Sequence, residues 1–278
     1  MAGTTAGDGA QSDRVAVSPA QGSLLDAVRG FGMMSGPTFV LEVLVGACVV
    51  ATVRGALARP RRNRLERLLR PLVALGAAAP AVYLLAVRPW HLRWGATDQE
   101  VRKPLPGDEL VPEPGIESTR AVTVQAPVEA VWPWLAQLGQ DRGGFYSYEW
   151  LENLAGCRLR NADRIHPEWQ QRAVGDWVLL HPASGMKVAR FEPERVFALE
   201  GGWYFVLEPG ANRTTRLIAR SRVPRGLQAL SYGLLVEIPH FVMERKMLLG
   251  LKERAERAWA RRATAERVVH RSDAPRDG

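Results

Sequence analysis

The pattern of apolar and polar positions divides the chain into a front part with two long apolar stretches and a rear part of shorter alternating runs. From Phe31 to Val53 the chain is apolar apart from Ser35, Thr38, Glu42 and Thr52, and from Pro71 to Val87 it runs 17 residues without a charge. At about 1.5 Å of rise per residue the second run reaches roughly 25 Å, within the lower limit for spanning a hydrocarbon core of about 30 Å. The alternative is a pair of buried helices, but no amphipathic partner lies nearby in sequence. The pattern therefore predicts a two-helix transmembrane hairpin over 31–93 with an Arg-rich loop at 54–70, its second helix bent at Pro80. Residues 1–30 have no periodicity and read as a disordered tail.

Behind the hairpin, four prolines between Pro104 and Pro114 predict an extended linker over 94–117. "STRAVTVQAP" (118–127) alternates as a half-buried strand does, with Val122 and Val124 against Thr123 and Gln125. Pro127 then opens a helix carrying Val128, Val131, Trp132 and Leu135 at helical spacing, with a bend or break expected at Pro133. A second short helix falls within 143–156, stopped by Gly156. Five further strand-like runs, "VGDWVLL", "MKVARFEP", "RVFALEG", "WYFVLEPG" and "TTRLIARSRV", are separated by Pro, Gly and Asn turns, the spacing of an antiparallel meander. In the last of them Thr215, Leu217, Ala219 and Ser221 share the face expected to look inward. From 241 to 259 Met247, Leu248, Leu251, Ala255, Ala258 and Trp259 form one side of a long amphipathic helix. The Arg-rich stretch 263–278 has no apolar stripe and reads as a frayed end.

Charge changes the picture by where it lies. The net +8 is +6 over residues 1–95, −1 over 96–232 and +3 over 233–278. All of the first excess sits between Arg54 and Arg70, so the central region is neutral and nucleic-acid binding is not expected. By the positive-inside rule this loop is cytoplasmic, which makes the protein two-pass in the cell membrane with its C-terminal domain outside; Arg88 and Arg93, just past the second span, pull the other way. Trp90, His91 and Trp94 read as an interfacial belt. Glu42, about one turn into its helix, can reach the headgroups. Cys48 and Cys157 have no metal-ligand or disulfide spacing, so no metal and no cofactor is expected.

The stretches "STRAVTVQAPVEAVWPWLAQLGQ", "GGFYSYEWLENLAG", "NADRIHPEWQ" and "FVMERKMLLGLKERAERA" resemble the SRPBCC superfamily (START-like, polyketide cyclase/dehydrase and lipid-transport proteins), in particular bacterial members with an N-terminal membrane hairpin. The similarity covers about residues 94–262. It implies an α+β helix-grip fold, an antiparallel sheet wrapped around a long C-terminal helix, with the domain proper at 118–262. It also implies a hydrophobic cavity between sheet and helix that takes lipids, sterols, polyketides or other apolar ligands, with no one reaction attached.

On that fold logic the candidate cavity residues are Trp132, Phe145, Tyr148, Met186, Trp203, Phe205, Leu217, Met243 and Met247; the methionines suit irregular apolar ligands because thioether chains adapt. The function expected is binding of a hydrophobic small molecule or lipid at a membrane. An alternative is a cyclase- or dehydratase-like enzyme using Tyr148, Asp163 or His166, since a His beside carboxylates can move protons near neutral pH. A further alternative is a membrane scaffold acting through the Arg-rich loop. "ALSYG" around Ser231 is a degenerate nucleophile elbow in the wrong structural context.

Overall fold

The computed structural model describes residues 78–272, with positions 54 and 76 singly, and side chains as far as 265. The tail, Glu42, almost all of the Arg-rich loop, the first apolar stretch and the first residues of the second lie outside the described residues. Among the described residues no helix is long and apolar enough to cross a membrane.

The first described elements are a π-helical turn, Tyr83–Val87, and helix α1, Arg88–Leu92. Helix α2, Asp98–Arg102, opens on a capping box in which Thr97 Oγ1 accepts from the Glu100 amide and Glu100 Oε2 from the Thr97 amide at 2.7 Å. Six strands follow: β1 Pro114–Val124, β2 Trp177–His181, β3 Ser184–Glu192, β4 Val196–Leu199, β5 Trp203–Pro209 and β6 Thr215–Pro224. They form one antiparallel sheet in the order β1-β6-β5-β4-β3-β2, a meander closed by the first strand against the last. Helices α3, Val128–Ala136, and α4, Glu149–Leu154, lie in the β1 to β2 connection. After β6 come α5, Leu227–Ser231, a π-helical turn, Tyr232–Val236, and α6, Glu237–Ser272. This is the helix-grip arrangement.

Both faces of the sheet are covered. Strand alternation sends Phe197, Leu199, Phe205, Leu207, Leu217 and Ala219 into one apolar core with Met247, Leu248, Leu251 and Ala255 of α6 and Val131, Trp134 and Leu135 of α3. The opposite residues, Ala121, Val196, Ala198, Tyr204, Val206 and Ile218, form a second core with Leu105, against which Ala96 and Leu110 pack.

That second core corrects the linker expectation. Residues 96–110 are laid on the sheet's outer face, and the first strand begins at Pro114, not at 118. Their acids meet the arginines of β6: Glu100 Oε1 lies 2.6 Å from Arg216 Nε, and Asp108 accepts from Arg220 at 3.0 Å and from Arg222 at 2.6 Å. A Pro-rich stretch reads as a linker when its partners are strand residues more than a hundred positions away. The belt expectation changes for the same reason. His91 and Arg88 are buried against Glu237, with Arg88 Nε 2.9 Å from its carboxylate, and Trp94 packs against the inner core. Two smaller differences are that α3 runs through Pro133 as one helix and that α6 continues to Ser272 beyond the expected fraying point.

Candidate functional site

A cavity of about 680 Å³ lies between the inner face of the sheet and the C-terminal helices. Its floor is built by inward positions of the sheet: Leu180 of β2, Met186 of β3, Trp203 of β5, and Ser221 and Val223 of β6. Its roof is the segment 228–247, which contributes Tyr232, His240, Met243, Glu244 and Met247. The turn between β4 and β5 completes the wall with Gly201 and Gly202. A Cβ on Gly202 would stand 2.4 Å from the Arg222 carbonyl oxygen, so only glycine lets this turn lie against β6.

Of the nine residues proposed from sequence, Phe145, Met186, Trp203, Met243 and Met247 line this cavity. Trp132, Phe205 and Leu217 instead fill the closed part of the inner core, Trp132 against Phe191 with ring centroids 5.0 Å apart. Their inward facing was readable, but the distance along the sheet at which packing opens into a void was not. Tyr148 is the N-cap residue of α4 and lies under the Lys246 ammonium. The other residues of the enzyme alternative are remote from the cavity: Asp163 is exposed, and His166 stacks on Trp169 and binds Glu168 at 3.0 Å.

Sequence reasoning missed a polar chain in the roof. Glu244 is fully buried and receives Arg120 Nη1 at 2.5 Å and Trp203 Nε1 at 2.7 Å. His240 presents Nε2 to the same carboxylate at 3.5 Å, and its Nδ1 is hydrogen-bonded to the Tyr232 hydroxyl. Burial alone would raise the Glu244 pKa; the Arg120 guanidinium, with help from His240, outweighs it and holds the carboxyl well below the usual carboxylate range. Burial, reinforced by the Glu244 charge, pushes the Tyr232 phenol up, so it stays protonated. The signal was present as Tyr232, His240 and Glu244 on one side of a helical stretch. Polar residues on a terminal helix read in sequence as a solvated face, whereas the aromatic-rich run around Tyr148 reads as a cavity wall.

At the opposite wall Glu152 hydrogen-bonds Ser147, and burial raises its pKa. Cys157 is a free buried thiol whose pKa burial raises as well, which makes it unreactive packing. Among the described residues no group of acids, histidines and cysteines could hold a metal ion.

Neither a protein-family model nor a curated protein matches the chain. A solved structure is similar. It is the solution NMR structure of a Polyketide_cyc-like protein from Corynebacterium glutamicum, 17% identical, with a TM-score of 0.26 over 54% of this chain and 92% of that one. At that score the helix-grip assignment rests on the strand order and the C-terminal helix of this chain itself.

Apolar surface surrounds the mouth of the cavity. Leu235 and Val236 line it and are 74% and 44% exposed, and Leu227, Leu230, Leu234, Ile238 and Val242 are exposed on the same helical segment. The π-helical turn at Tyr83–Val87 is tied to this segment through Arg88 and Tyr83, both bonded to Glu237, and carries exposed Val82, Leu85 and Val87 beside it.

Proposed function

We propose that this protein binds a hydrophobic small molecule or lipid in the cavity between sheet and C-terminal helix, and that it does so at a membrane. The observation that carries the reading is the cavity: about 680 Å³, well within the range of roughly 300–1,000 Å³ typical of small-molecule sites. Its wall, with Met186, Met243, Met247 and Trp203, fits an apolar body of irregular shape. The membrane part is supported by the exposed leucines at the mouth and by the uncharged run 71–87, whose last residues bear the neighbouring exposed Val82 and Leu85.

Native mass spectrometry of the full chain, followed by extraction of bound compounds, tests the binding. A stoichiometric apolar adduct is expected, lost when Met243→Trp fills the void; a chain that is empty under every purification overturns the reading. For the mouth, the double variant Leu234→Glu, Leu235→Glu should take up a fluorescent phospholipid from vesicles about tenfold more slowly than the parent, since each leucine withheld from an apolar phase forfeits at least one such factor. Equal uptake rates would remove the membrane-facing mouth.

A further inference from the structure

The apolar cavity contains polar groups that its own protein leaves unanswered. Ser221 lines the void from β6, is 6% exposed, and its hydroxyl has no hydrogen-bond partner. Its register partner on β1 is Ser118, 3% exposed and equally unpartnered. Buried hydroxyls without partners are rare in native proteins because leaving one unpaired costs about 1–3 kcal/mol. Val223, the next inward residue of β6, packs against the same apolar cluster as Tyr232, which brings the roof's polar chain to this end of the cavity.

Glu244 is ionised against Arg120, and in the tautomer that turns His240 Nε2–H toward this carboxylate the ring leaves Nδ1 to accept. In that tautomer Tyr232, which lines the cavity, donates its hydroxyl proton to Nδ1 and keeps its oxygen as an acceptor. Ser221 is free to donate. Of the charged groups on the wall, Glu244 is held by Arg120, Arg222 by Asp108 at 2.6 Å and Glu117 at 3.3 Å, and Glu152 accepts from Ser147 through Oε1 and leaves Oε2 unpartnered, with burial raising its pKa and so working against its charged form. An anionic head buried here would be desolvated without a counter-ion, and a cationic one would meet only Glu152, an acid whose charged form burial disfavours.

We propose that the ligand is an uncharged amphiphile carrying a hydroxyl, held at its polar end by donation from Ser221 Oγ and by donation of its own proton to Tyr232 Oη, with its apolar body along Met186, Met243 and Met247. This rests on the cavity being a ligand site. It adds which end of the ligand is recognised and by what, and it assigns the Tyr232, His240 and Glu244 chain as the device that fixes the acceptor.

The test is titration calorimetry of the full chain with four probes of one length: decanol, decane, decanoate and decylamine. Decanol should bind about tenfold more tightly than decane, the worth of one to two neutral hydrogen bonds, and more tightly than either ion. Ser221→Ala and Tyr232→Phe should each reduce that preference about three- to tenfold and leave decane affinity unchanged, decane serving as the control for an intact cavity. Equal binding of decanol and decane overturns the polar-end assignment alone. Tighter binding of decanoate or decylamine overturns the uncharged class. Failure of every probe to bind overturns the cavity reading beneath it.

Discussion

The most exacting single residues in this protein are acids buried beside arginines. Glu244 and Arg120 are both fully buried, with Arg120 Nε also donating to the His91 carbonyl at 2.8 Å. A neutral amide at 244 leaves a guanidinium in the core with no counter-charge, so Glu244→Gln should cost about 3–5 kcal/mol in urea unfolding, the penalty of breaking a buried pair. A loss under 1 kcal/mol would mean that water reaches Arg120. On the outer face, Glu100 is subject to burial, which raises its pKa, but Arg216 and the Thr97 cap lower it from 4.5 to about 2. A carboxyl depressed in the fold contributes stability that is present above its unfolded pKa and lost as pH falls through the folded one. Stability should therefore decline between pH 4.5 and 2, and Glu100→Gln should flatten part of that limb. An acid limb identical in the two proteins would show that the Arg216 pair contributes nothing to it.

At the scale of elements, the helix α6 was legible because Met247, Leu248, Leu251 and Ala255 recur at 3.6-residue spacing and all are buried. The meander was legible because β4, β5 and β6 are bounded by Gly, Pro and Asn turns. What could not be read is that Arg220, 1% exposed, is interior, since it sits on the face of β6 opposite the one expected to look inward, or that a void opens beside Ser221, 6% exposed, on the inward face. Only the segment laid over the sheet makes the first an interior residue, and only the void makes the second a candidate ligand contact. The crossing of α6 over the 139–148 loop is equally invisible in sequence. Gly250 lies so close to this loop that a Cβ there would stand 2.2 Å from the Tyr146 carbonyl oxygen, where Tyr146 itself has φ +57°. Gly250→Ala gains about 1 kcal/mol of helix propensity but forces the helix off the loop, which costs about 1–3 kcal/mol or more. Net destabilisation in thermal unfolding is expected; a stabilised variant would show that the loop yields without cost.

At the scale of the whole molecule, the boundary between the apolar front part and the domain decides how the cavity is mounted. The sequence pattern puts it near residue 94, at the end of the expected hairpin, whereas the structure carries the domain's packing back through Leu92 and Arg88 to Tyr83. Arg88 makes a two-pronged ion pair with Glu237 at 2.9 and 3.0 Å, His91 is buried beside it, and Leu92 packs with Ile116 and Ala229 under the roof of the cavity. Burial raises the Glu237 pKa, but hydrogen bonds from His91 and Arg88 hold it below its ordinary value, so the acid is charged and depends on both. A chain beginning at residue 94 would leave Glu237 charged, buried and unpaired, and would take the His91 carbonyl from Arg120. The expected cost of about 3–5 kcal/mol is a large fraction of the roughly 5–15 kcal/mol that holds a domain together. Its melting temperature should fall by about 10 °C or more relative to a chain beginning at residue 78. The two should also differ in ligand uptake, because Glu237 begins the helix that carries His240, Met243 and Glu244 into the cavity roof. Equal melting temperatures would show that the 78–93 segment is only a tether. A loss of both stability and binding would mean that the same helical turn which leaves the apolar stretch also sets the position of the roof, coupling whatever holds that stretch to the mouth of the cavity.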